Sequence, residues 1–104
     1  MSGPPLTVAP SVIVEMVRLA ALEVPGVLRV GHGGPPWRAW LARPAIRIRI
    51  RDDAVHVRLR FVARPGVALS AVAAQVRLVV GSTVERLLGL RLGAVTVVVD
   101  GVGG

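Results

Sequence analysis

Ile46-Arg47-Ile48-Arg49-Ile50-Arg51-Asp52-Asp53-Ala54-Val55-His56-Val57-Arg58-Leu59-Arg60-Phe61 is the stretch that decides how this chain folds. Apolar side chains alternate with mostly basic ones on both sides of Asp52-Asp53, the period-two pattern of two half-buried strands joined by a turn. Parity fixes the register. If Asp52 and Asp53 form a two-residue turn, Ile50 faces Val55, Ile48 faces Val57 and Ile46 faces Leu59, and all the apolar partners share one face. An odd-length loop would set Arg51 against Val55 and scramble both faces, so an even-length turn is expected. The same register stacks Arg47 against Arg58 and Arg49 against His56 on the opposite face. Arg51 and Arg60 extend that basic patch, and Phe61 turns inward.

Downstream, Arg64-Pro65-Gly66 breaks the second strand. A long helix is expected over residues 70–88, with Val72, Val76, Val80, Val84 and Leu87 as its apolar stripe. Gly81 inside it costs about 1 kcal/mol relative to alanine, which points to a kink or a close helix contact. Gly89 is a natural C-cap, residues 95–100 read as a final strand, and the glycine-rich residues 101–104 are expected to fray. Upstream, residues 1–5 are also expected to fray, and residues 6–8 suit a short edge strand. Pro10 fits the first position of a helix. Ile13, Val17, Ala20 and Val24 recur at helical spacing, with Met16 beside them, and Glu15 can pair with Arg18 one turn on. Leu19 and Leu22 fall near the outer side of that helix, a placement that suggests self-association. Pro25-Gly26 ends it, residues 30–36 read as a Gly/Pro loop, and residues 37–43 suit two helical turns closed by Pro44. The expected architecture is one α+β domain over residues 1–104. It is a two-layer sandwich in β-α-β-β-α-β order, with both helices on one face of a three- or four-stranded sheet.

Composition narrows the function. The chain has 104 residues, 53% of them apolar, which suits one domain with one core and excludes a disordered chain. The longest uncharged stretch, residues 1–14, is interrupted by Pro4, Pro5 and Pro10, whereas a spanning helix needs roughly 20 apolar residues. No basic start followed by an apolar block marks a secretory signal. Without cysteine there are no disulfides and no thiolate chemistry, which fits a cytoplasmic setting. The net charge of +7 comes from thirteen arginines and no lysine. That sign points to acidic partners: an acidic protein, an anionic membrane surface or nucleic acid.

Two stretches resemble the alkaline shock protein family of bacterial envelope stress-response proteins. The first is VAPSVIVEMVRLAALEVPGV (residues 8–27), whose Ala-Pro entry and Ala-Leu-Glu-Val-Pro-Gly-Val exit look like that family's first helix. The second runs from the hairpin through Pro65-Gly66-Val67, the long helix and Leu88-Gly89-Leu90 to residues 95–102. Ala9 stands where the family usually has serine, and the hairpin is richer in arginine than the family's mixed surfaces. The resemblance implies a non-enzymatic protein that gathers at the cytoplasmic side of the membrane through protein partners and supports envelope homeostasis. It supplies no catalytic residues.

The candidate partner-binding residues are Arg47, Arg49, Arg58 and Arg60 on the outer hairpin face, together with Trp37 and Trp40. Like charges directly opposite one another cost about 0.2–1 kcal/mol per pair, so the arginines call for an anionic complement, from a partner or from a carboxylate such as Asp100. The competing reading is a solvated face whose charge protects an open sheet from aggregation. Nucleic acid is the alternative ligand, but a single-strand binder adds aromatic stacking platforms that this face lacks. Trp37 and Trp40 share one side of a short helix, where they could anchor a partner, meet the membrane interface or cap the core. His32 is too isolated for a metal site, and its glycine neighbours lack the ending of a phosphate loop. His56 has no carboxylate or cysteine spaced for a triad, and the six acidic residues are scattered. No catalytic residue, cofactor or metal is expected.

Overall fold

The computed structural model describes residues 9–31, 33 and 44–103. Its elements are α1 (Pro10–Leu22), β1 (Val27–Val30), β2 (Ile46–Arg51), β3 (Ala54–Ala63), α2 (Leu69–Ser82), a π-helical turn (Thr83–Leu87) and β4 (Leu92–Val102). The expected strand at residues 6–8 and the expected helical turns at residues 37–43 lie outside the described residues.

The hairpin forms with the register that parity requires. Ile46 pairs with Leu59, Ile48 with Val57 and Ile50 with Val55, while Arg47 meets Arg58 and Arg49 meets His56. Asp52 and Asp53 both adopt positive φ, 50° and 63°, the left-handed pair of a two-residue type I′ turn. That turn matches the twist of the flanking strands, and aspartate tolerates it better than a branched residue would.

Strand β3 is the centre of the sheet. It pairs antiparallel with β1 and β2 and parallel with β4. The N–H of Arg60 donates to the Ala45 carbonyl, and its own carbonyl accepts from Gly31 N–H at 3.0 Å. Both groups of one strand residue point to the same side. Strands β1 and β2 therefore lie end to end along one edge of β3, and β4 takes the other edge.

Alternation along β3 sorts its side chains. Val55, Val57, Leu59, Phe61 and Ala63 are buried, with Leu59 and Phe61 wholly inaccessible. They meet Ile13, Val17, Ala21 and Val24 from α1 and Val72, Val76, Val80 and Val84 from α2, so both helices cover one face of the sheet. Burying each of the valine, isoleucine, leucine and phenylalanine side chains stabilises the fold by about 1.5–3 kcal/mol. No polar or charged residue is buried among the described residues.

Four sequence expectations need correction. Residues 27–30 form a strand rather than leading into a loop; its four-residue Val-Leu-Arg-Val alternation is short and sits between Gly26 and Gly31. The last strand starts at Leu92 and ends at Val102, because parallel pairing with β3 continues well beyond residues 95–100. Residues 101–103 are not frayed: the Gly103 N–H donates to the Ala63 carbonyl at 2.9 Å, and Gly103 packs over Leu28 and Val62. Leu87 does not complete the apolar stripe of α2. The π-helical turn, closed by Leu88 N–H donating to the Thr83 carbonyl, inserts an extra residue into that turn. This leaves Leu87 66% exposed and turns Leu88 toward the core instead.

Candidate functional site

The other face of the hairpin carries the charge. Its side chains form rows running across β2, β3 and β4. One row is Arg47, Arg58 and Thr96; the next is Arg49, His56 and the backbone near Ala94. Together they surround a concave site of about 280 Å³ lined by these residues. Among the described residues no carboxylate pairs with Arg47, Arg49 or Arg58.

The third row behaves differently. Arg60 lies 3.6 Å from an Asp100 carboxylate oxygen on β4, and the other oxygen of Asp100 accepts a hydrogen bond from the Gly33 N–H at 2.9 Å. Of Arg47, Arg49, Arg58 and Arg60, the suggested complement from Asp100 therefore reaches Arg60. Beyond it, Val62 also points to this side but is buried beneath Leu28 and Gly103. Among the described residues the face thus runs from a sealed apolar end, through one neutralised arginine, to an end with three arginines that no carboxylate pairs.

Of the sequence-derived candidates, Arg47, Arg49 and Arg58 line one site, and Arg60 stands at its margin, bordering a small cleft shared with Arg47 and Arg58. Trp37, Trp40 and His32 lie outside the described residues. Sequence reasoning missed Thr96, Gly93 and Ala94. Parity along β4 could have placed Thr96 beside Arg58, but the role of Gly93 and Ala94 is carried by backbone and left no side-chain signal. His56 was visible, although its hydrogen-bond partner, the Ala94 N–H at 3.2 Å, was not.

A second, larger groove lies between α2 and β4, floored by Leu92 and Gly81 and bordered by the exposed Leu78. Arg77, Arg86 and Glu85 give it mixed charge, and it brings together none of the candidate residues. Among the described residues no helix is long and apolar enough to cross a membrane, and no three His, Asp or Glu side chains gather as a metal site would require.

The fold and the face define a small α+β domain with an open basic sheet surface. The chain belongs to the alkaline shock protein 23 family, described by its cell envelope-related function, whose profile matches residues 4–103. No curated protein sequence matches the chain. Among solved structures it is similar to MamM CTD in its copper form, with TM-score 0.65 at 16% identity, covering 88% of this chain and 85% of that one. A MamM CTD variant in its manganese form gives 0.62 at 17% identity, covering 88% and 96%. A further MamM CTD variant gives 0.66 at 16% identity, covering 89% and 98%. At these identities the likeness is one of fold.

Proposed function

We propose that this chain is a non-catalytic docking module of the envelope stress response, held peripherally at the cytoplasmic side of the membrane by an anionic protein partner. The observation that carries this reading is the set of three arginines, Arg47, Arg49 and Arg58, held side by side on a sheet face where no carboxylate among the described residues pairs with them. Opposed guanidiniums destabilise a sheet unless an anion sits between them, so the arrangement favours a partner that supplies one. The family's envelope-related role supports the location, and a core in which no ionisable group is buried among the described residues favours a binding role over acid–base chemistry. Leu19 and Leu22, 46% and 37% exposed on α1, give the module a separate surface for self-association.

Salt-titrated binding in parallel to four probes tests the reading: host envelope fractions, protease-stripped envelopes, anionic vesicles and short DNA. Salt-sensitive binding to intact envelopes, abolished by stripping and by Arg47→Ala/Arg49→Ala/Arg58→Ala, is the expected result. Equal binding to anionic vesicles would replace the protein partner by lipid. Tight DNA binding with a steep salt slope, lost in the same variant, would make this a nonspecific nucleic-acid-binding domain.

A further inference from the structure

The open end of the arginine face contains a device that a merely solvated basic surface does not need. Between the pairs Val55–Leu92 and Val57–Val95, β3 advances two residues while β4 advances three, so β4 carries a bulge at Gly93-Ala94. A bulge re-aims the backbone of its strand. Here it delivers the Ala94 N–H to Nδ1 of His56 at 3.2 Å. Gly93 completes the seat. A Cβ at this position would stand 2.4 Å from Cε1 of His56 and 2.6 Å from Nε2, so any larger residue would force the ring out of this position.

The seat sets what His56 can do. A neutral imidazole whose Nδ1 accepts an N–H carries its proton on Nε2, so His56 is held as a donor through that nitrogen. The three guanidiniums are donors without acceptor capacity, and the Thr96 hydroxyl can donate as well. No carboxylate among the described residues lines the site. A pocket whose charged and ring groups only donate selects a ligand that only accepts. One carboxylate offers two oxygens, too few for three guanidinium forks, an imidazole N–H and a hydroxyl. A phosphate group offers three or four oxygens in a tetrahedral array, which suits donors converging from three strands.

We propose that the cradle formed by Arg47, Arg49, Arg58, His56 and Thr96 binds a single phosphate group, with Gly93 and Ala94 fixing the imidazole as one of its donors. This rests on reading the face as a binding surface and narrows the anion it receives. Free phosphate and a phosphate headgroup share this chemistry.

The test is a titration of the intact, isotope-labelled protein with inorganic phosphate at constant ionic strength, followed by amide and imidazole nitrogen resonances, with acetate as the carboxylate control. The expected result is saturable shifts confined to residues around His56, Ala94 and Thr96, weak or absent with acetate, and an imidazole protonated on Nε2. Gly93→Ala and His56→Ala should each weaken phosphate binding by about tenfold or more, and Thr96→Val, which keeps the shape of the strand, by a few-fold. A matching loss for vesicles containing phosphatidic acid, and their displacement by free phosphate, would place a headgroup in the same cradle. Vesicle binding that ignores both would leave free phosphate as the ligand. Non-saturating shifts, equal response to acetate, or unchanged affinity in both Gly93→Ala and Thr96→Val would overturn the inference. If phosphate fails while envelope binding still depends on the arginines, the phosphate site falls and the docking reading stands; if both fail, both fall.

Discussion

Strand β3 presents two faces made by one alternation, and they obey different rules. Its odd residues from Val55 to Ala63 are closed under two helices, where shape and volume decide what is tolerated. Its even residues His56, Arg58 and Arg60 look the other way, where no described helix covers them and charge decides. The same backbone thus supports a face that stabilises the fold and a face that works against it, since Arg58 sits opposite Arg47. The lesson is that the arginines are not there for stability, and substitutions should separate the two faces cleanly.

The sharpest contrast is Phe61→Ala against Arg58→Ala. Phe61 is wholly buried, and truncating it should destabilise by about 3–5 kcal/mol in chemical denaturation. Arg58→Ala should change stability by less than about 1 kcal/mol, in the stabilising direction, because it relieves the repulsion with Arg47. A large loss from Arg58→Ala would break the distinction between the faces.

A second break point lies where α2 meets the turn before β1. Gly26 is buried, and a Cβ there would stand 2.3 Å from Cγ2 of Val72. Gly26→Ala should therefore cost about 1–3 kcal/mol through overpacking, with little effect on anion binding. Smaller still is the turn: replacing Asp53, at φ 63°, by glycine should stabilise by about 0.5 kcal/mol, seen as a modest rise in Tm.

The smallest effect concerns a charge pair away from both faces. Arg18 donates to Glu15 through Nε at 3.2 Å and through a second bond from Nη2, and this bonding holds the Glu15 carboxyl below its ordinary value of 4.5. A carboxyl with a lowered folded pKa contributes stability above its unfolded pKa and loses it as pH falls through the folded one. Stability contributed by this pair is therefore present at neutral pH and fades below about pH 4.5. Glu15→Gln should flatten that acid limb slightly and leave the arginine face unaffected, as a denaturation series across pH would show.

Much of this was legible in the sequence, and for a physical reason. In β2 and β3 a one-residue slip would move Ile46, Leu59 and Phe61 from the helix-covered face to the other one, so alternation alone specifies register, turn length and the facing of Arg47 and Arg58. The stripe Ile13, Val17, Ala20 and Val24 was equally plain, because helical periodicity over three turns leaves little freedom. What escaped was governed by backbone. Strand β1 has too few residues to establish a period, and the π-helical turn that ejects Leu87 is a shift in hydrogen bonding that no side chain announces. The seat of His56 depends on a bulge and on the absence of a Cβ at Gly93, so the sequence placed His56 opposite Arg49 but gave no sign of that seat. Parity found the arginines of the candidate site; only the fold joined them to β4.

The docking claim is tested most directly by the envelope-bound fraction of the protein in its host, measured for two variants that remove equal charge from opposite sides. One is Arg47→Ala/Arg49→Ala/Arg58→Ala on the open sheet face; the other is Arg77→Ala/Arg86→Ala/Arg91→Ala on and beside α2. The account predicts that the first becomes diffuse while the second stays at the envelope, with both equally folded. Retention of the first variant at the envelope, or equal loss of both, would contradict it.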